Sequence, residues 1–237
     1  MDNLRKLSGE AGVLAGIATA WLFLGLVMLF PSAGLNLADQ VNPHRYIPFV
    51  TKHAGMFWTV NILGGFAAAV LTAIFVKGLG DRFHDASPAG SHIGSWLGVF
   101  GATSFAAAAI IRQVGYTSLI PVYKTAHASG AIAFYGTNGV VHGLLALGGI
   151  VVGLSVLVFG NIMLKSQRYS SVGFLSVVAG TAMILNGFVN NVYFFMASFM
   201  AMIVWLVWTS LTLREEVGPA LFHFRFAPRN GRARRAA

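Results

Sequence analysis

Apolar residues come in six long runs, at about 11–30, 54–76, 93–111, 134–159, 172–189 and 192–213. Each is near the ~20 residues that a helix rising 1.5 Å per residue needs to cross the hydrocarbon core of a bilayer. The pattern predicts an all-α fold, a polytopic transmembrane bundle of six spans over 1–213, followed by a basic tail over 214–237. Pro31, Pro43 and Pro48 punctuate the first connection, and polar residues mark the second, at 81–90, and the fourth, at 166–171. The third connection, 112–133, reads as a long loop, as does 31–53. Asn190 and Asn191 separate the last two spans, either as a tight hairpin or as a re-entrant loop.

Composition agrees with that solvent. The chain is 56% hydrophobic and only 10% charged, with a mean hydropathy of +0.71, whereas soluble domains carry roughly 25% charged residues. Arg5 and Lys6 precede the first run in the order of a signal peptide. That run exceeds the roughly 7–15 apolar residues of a signal sequence, so it reads as a retained span. Cysteine is absent, which removes disulfides, thiolate nucleophiles and thiolate metal sites.

The net charge of +9 is unevenly spread. Twelve Lys and Arg fall on the side of the termini and four, Arg45, Lys52, Arg112 and Lys124, on the other. The excess predicts cytoplasmic termini, in a bacterial inner membrane. It also accounts for the basic character without nucleic acid, because basic residues at the membrane edge meet anionic headgroups. Arg225, Arg229, Arg232, Arg234 and Arg235, next to Phe222, Phe224 and Phe226, are expected to contact such lipids or an acidic partner.

The seven acids are Asp2, Glu10, Asp39, Asp81, Asp85, Glu215 and Glu216, and none falls inside a span. Proton- and cation-coupled carriers commonly keep a carboxylate at membrane depth, and paired-carboxylate catalysis needs two neighbouring acids. Neither is supplied, and no catalytic constellation emerges.

Histidine is the remaining chemistry. His44, His53 and His127 fall on the outer side, with His142 in the outer half of the fourth span. If the four gathered, they would suit copper, zinc or haem iron. No pair has His-x-x-x-His spacing, and isolated histidines satisfied by backbone or headgroups are the plainer reading, so no cofactor is expected on the main reading. Tyr135, Asn138 and His142 recur at i, i+3 and i+7, and should turn one polar face toward the bundle interior, where Asn186 of the fifth span could join them. That face serves either as interhelical hydrogen-bonding glue or as a cavity wall. Arg112 closes the third span, with a headgroup phosphate, a backbone carbonyl or a substrate anion as its expected partner.

The stretch from Tyr135, Asn138 and His142 through the glycine-rich 143–159 and the short basic loop Lys165, Arg168, Ser170, Ser171 to Gly173 resembles a family of bacterial multi-span membrane proteins defined only as a domain of unknown function. Members often carry a proline in that loop where this chain has Ser170 and Ser171. The resemblance covers about 135–185 and implies fold and location, without an activity.

Glycines recur four apart at Gly12 and Gly16, Gly94 and Gly98, Gly139 and Gly143, and Gly149 and Gly153, the spacing that lets helices approach closely in lipid. Three functions fit the chain. The first is a non-catalytic scaffold or accessory subunit packed against membrane-protein partners or further copies of itself. The second is a channel or carrier for a neutral or anionic small molecule, and the third a histidine-based metal or haem redox protein on the outer face.

Overall fold

In the computed structural model, residues 2–166, 169–189 and 191–215 are described, and among them the chain is helical with no strand. Six helices are long and apolar enough to cross a membrane, which makes this a multi-pass membrane protein. The first comprises α1 (Asp2–Leu24), a π-helical turn at Gly25–Leu29 and α2 (Phe30–Ser32). Proline explains the π register. Pro31 has no N–H to return to the helix, and the preceding Phe30 N–H bonds to Gly25 O.

A 3₁₀ turn at Leu37–Val41 then leads into α3 (Pro43–Lys52). Its start has the chemistry of a helix N-terminus: the Asn42 side chain accepts the His44 N–H at 3.0 Å and Pro43 occupies the first helical position. Pro43, Tyr46, Ile47 and Val50 are buried, an i, i+3, i+4, i+7 stripe that seats α3 on the bundle end far from the termini. Much of the expected 31–53 loop is therefore an amphipathic capping helix.

The second span runs through α4 (Ala54–Trp58), a π-helical stretch at Thr59–Phe66 and α5 (Ala67–Phe83). Buried Asn61 donates its amide to Phe57 O at 2.9 Å within that stretch. The remaining spans are α6 (Pro88–Thr125), α7 (His127–Leu164), α8 (Ser170–Phe188) and α9 (Val192–Glu215). Only Ala126 separates α6 from α7 as a non-helical residue, so the expected 112–133 loop is instead the top of a helical hairpin. Arg112 looked like a span end because it is charged, but nothing between 112 and 120 breaks a helix. Pro121 is absorbed near the end of α6. α8 and α9 pack side by side as consecutive helices, and Asn191 Oδ1 accepts the Tyr193 N–H at the start of α9.

Neighbours along the chain are neighbours in space: α1 packs on α5, α5 on α6, α6 on α7, α7 on α8, α8 on α9, and α9 returns to α1. The six spans thus form a closed ring with both described ends on one side, here the terminal end. The terminal half is filled by Phe75, Val76, Val152, Val156, Phe159, Met163, Trp205 and Leu206, all buried. Trp205 spans the ring, its Nε1 donating to Ser176 Oγ at 2.8 Å on α8 while its ring meets Phe75 of α5 edge-on at 5.4 Å. Outside the ring, Trp96, Phe100, Phe174 and Trp208 are exposed, as a lipid-facing surface requires.

The distal half has a separate core of Leu26, Phe30, Tyr46, Ile47, Phe57, Tyr116, Leu119, Tyr123 and Phe134. Among the described residues α8 adds nothing to it and α9 only the partly buried Phe195, and the short length of α8 explains its absence. At 1.5 Å per residue the 38 residues of α6 and of α7 reach about 57 Å, and the 19 of α8 only about 28 Å. Near the end of α8, Gly187 sits against Ala146 O and Ile150 of α7, so α7 before that point has no α8 beside it.

Candidate functional site

The distal half places most of the residues singled out above, in a different grouping. Arg112 is held by side chains, neither headgroup nor backbone. Its Nε and Nη2 donate to Tyr46 Oη at 2.9 and 2.8 Å, and Nη2 reaches Gln40 Oε1 at 3.4 Å. Gln40 Nε2 in turn donates to Leu26 O at 3.2 Å. The Tyr46 ring meets Tyr116 edge-on at 5.0 Å, and Tyr116 Oη donates to Asn138 Oδ1 at 2.6 Å. This chain of contacts ties the end of the first span, the 3₁₀ turn, α3, α6 and α7 together. Burial pushes the Tyr46 phenol above its ordinary ionisation range, partly offset by the Arg112 guanidinium. The phenol is therefore a neutral acceptor, and the network joins a cation to neutral oxygens without a carboxylate.

The four histidines do not form one ligand set. His44 Nδ1 pairs with Tyr123 Oη at 2.6 Å, and the His127 ring lies 4.7 Å from the same tyrosine ring. His53 instead packs on Phe49 at 4.9 Å. His142 is fifteen residues further along α7 than His127, about 22 Å along the helix axis. Among the described residues no three His, Cys, Asp or Glu come together as a metal site.

The expected polar face of Tyr135, Asn138 and His142 is split. Asn138 turns to Tyr116, whereas Tyr135 is 58% exposed and His142 is exposed as well. Of the three expected to face the bundle interior, only Asn138 does; the short α8 leaves Tyr135 and His142 without a neighbour to bury them. Asn186 is half-buried near the end of α8, with no hydrogen bond to the α7 residues. The basic residues Arg225, Arg229, Arg232, Arg234 and Arg235 lie outside the described residues.

Glycines distinguish the covered helix faces from one uncovered face. A Cβ on Gly12 would run into Ser210 and Phe75, and on Gly98 into Val76, while on Gly16 and Gly94 it would come within about 3 Å of Val207 and Phe159. Gly153 and Gly180 face each other so closely that a Cβ on either would lie 2.7 Å from the other's carbonyl oxygen. Gly149 is looser, with Met183 O at 3.5 Å. In contrast, a Cβ on Gly136, Gly139 or Gly143 would meet nothing within 4 Å. With Ile132 and Tyr135 these three recur at i, i+3, i+4, i+7 and i+11, one continuous exposed face on distal α7.

Tyr46, Tyr123 and Gln40 carry much of this half and were not singled out from the sequence. The 43, 46, 47, 50 periodicity after Asn42 and Pro43 was the available signal for Tyr46. Nothing local announces Tyr123 or Gln40. No family model, curated protein or solved structure matches this chain.

Proposed function

We propose that this protein is a non-catalytic membrane scaffold or accessory subunit, and that distal α7 receives a transmembrane helix of a partner membrane protein. The observation that carries this reading is the uncovered glycine face of Gly136, Gly139 and Gly143. Among the described residues every other helical glycine except Gly55 has a neighbour within 4 Å of where its side chain would be, and such close backbone approach is a principal source of helix association in membrane proteins. The exposed Tyr135 and His142 beside that face add hydrogen-bonding groups that an incoming helix can meet. The carrier reading is less well supported, since Trp205, Phe75 and Phe159 fill the terminal half of the ring. The redox reading lacks converging ligands among the described residues. A bacterial inner membrane with cytoplasmic termini remains part of the proposal, on the strength of the charge asymmetry.

The test is gentle purification from native membranes followed by native mass measurement, for the wild type and for Gly139→Trp. The expected result is a defined complex with another membrane protein in the wild type and a folded lone chain in the variant. A dimer of this chain alone that the variant dissolves would keep the face but replace the partner with a second copy. Identical masses for the two proteins would overturn the docking role.

A further inference from the structure

We propose that the cleft between α3 and the α6–α7 turn binds a phosphate ester carrying an apolar portion. The cleft has a volume of about 350 Å³, enough for a small organic ligand. Lys52 from α3, Lys124 from α6 and His127 from α7 line it together with the hydroxyl-bearing Thr51. Ile47, Pro48 and Ile120 supply apolar wall. Two exposed lysines therefore flank one concavity, and neither has an ion-pair partner among the described residues. No acid lines the cleft, and Asp39 is the lone acid on the distal end.

Both lysines also sit in the last turn of their helices, where a cation offsets the helix dipole. That accounts for a lysine at each helix end but not for both ends flanking one cleft. Each ammonium carries three donors and acts as a point charge toward phosphate, so two of them match an anion with several oxygens better than a single carboxylate, while the Thr51 hydroxyl is spent on Ile47 O at 2.9 Å. The base of the cleft is fixed independently, because Tyr123 lines it while bonded to His44. The position, at the distal end of membrane-crossing helices, suits two sources of the same chemistry: the headgroup of an anionic phospholipid, or a soluble organic phosphate.

The experiment uses the full chain, delipidated in a neutral detergent. Calorimetric titration with butyl phosphate and with inorganic phosphate probes the soluble source. Native mass spectrometry from nanodiscs of phosphatidylglycerol against phosphatidylcholine probes the lipid source. The Lys52→Gln, Lys124→Gln double variant is compared with Lys77→Gln as a charge control and with Lys52→Arg as a charge-preserving one. Wild-type binding of butyl phosphate that weakens at least tenfold in the double variant, and not in the controls, establishes a soluble ligand. Selective retention of phosphatidylglycerol, lost in the double variant alone, establishes a headgroup. Equal binding by wild type and double variant in both arms, or no preference for phosphatidylglycerol together with no phosphate binding, overturns the proposal. Gly139→Trp leaves this cleft intact, so failure here is distinguishable from failure of the docking role.

Discussion

At the terminal half of the bundle α7 and α8 meet glycine to glycine, Gly153 against Gly180, while ten residues earlier along α7 Gly143 faces open space. The same residue type on the same helix serves opposite ends. Where a neighbour exists, the missing side chain has been used for close packing, and the centre is sealed by Trp205. Where α8 stops short, the missing side chains leave an unfilled face, and cohesion passes to polar side chains around Arg112 instead. Packing holds both cores, and in the distal half hydrogen bonding and aromatic contact join it.

The largest effect expected from breaking the contrast is Trp205→Ala, which removes the plug and the bond to Ser176. It should cost about 3–5 kcal/mol, read as loss of resistance to denaturant in detergent. Arg112→Leu strikes the distal counterpart. Without the guanidinium, Tyr46 and Gln40 lose their donor, and about 1.5–3 kcal/mol should be lost. In a double-mutant cycle Tyr46→Phe should add little to it; full additivity would show that the network is not a unit.

The glycines sharpen the comparison directly. Gly153→Ala forces a Cβ against Gly180 O and should destabilise by about 1–3 kcal/mol, whereas Gly139→Ala in the isolated chain should be neutral or gain up to about 1 kcal/mol of helix propensity. Equal costs would erase the distinction. The smallest effect concerns pH. Because the folded Tyr46 phenol ionises above its ordinary value of 10.0, its contribution is complete below pH 10. It is lost as pH rises further, when the unfolded chain releases a proton that the folded chain keeps. Tyr46→Phe should flatten that alkaline loss, measured as denaturation midpoint against pH.

The all-helical bundle of six membrane-length helices was legible because apolar runs near 20 residues leave few other solutions. The ends of the helices were less so. A charge at Arg112 reads as an interface from sequence, and only the three-dimensional partners Tyr46 and Gln40 explain how the helix carries it onward. Periodicity turned Tyr135, Asn138 and His142 toward the bundle interior, but the exposure of Tyr135 and His142 depends on the length of a different helix, α8. Convergence of His44 with His127 around Tyr123, and the separation of His53 and His142, depend on α3 folding back over the bundle, which no spacing within the chain encodes.

The absence of cysteine permits the most direct test of the docking face. Single cysteines placed at 132, 135, 136, 139, 140 and 143 can be probed with a membrane-permeant maleimide, in native membranes and after purification to the lone chain. Protection of 136, 139 and 143 in native membranes, lost on purification, is the predicted result. Labelling of those three at the same rate in both states would contradict it.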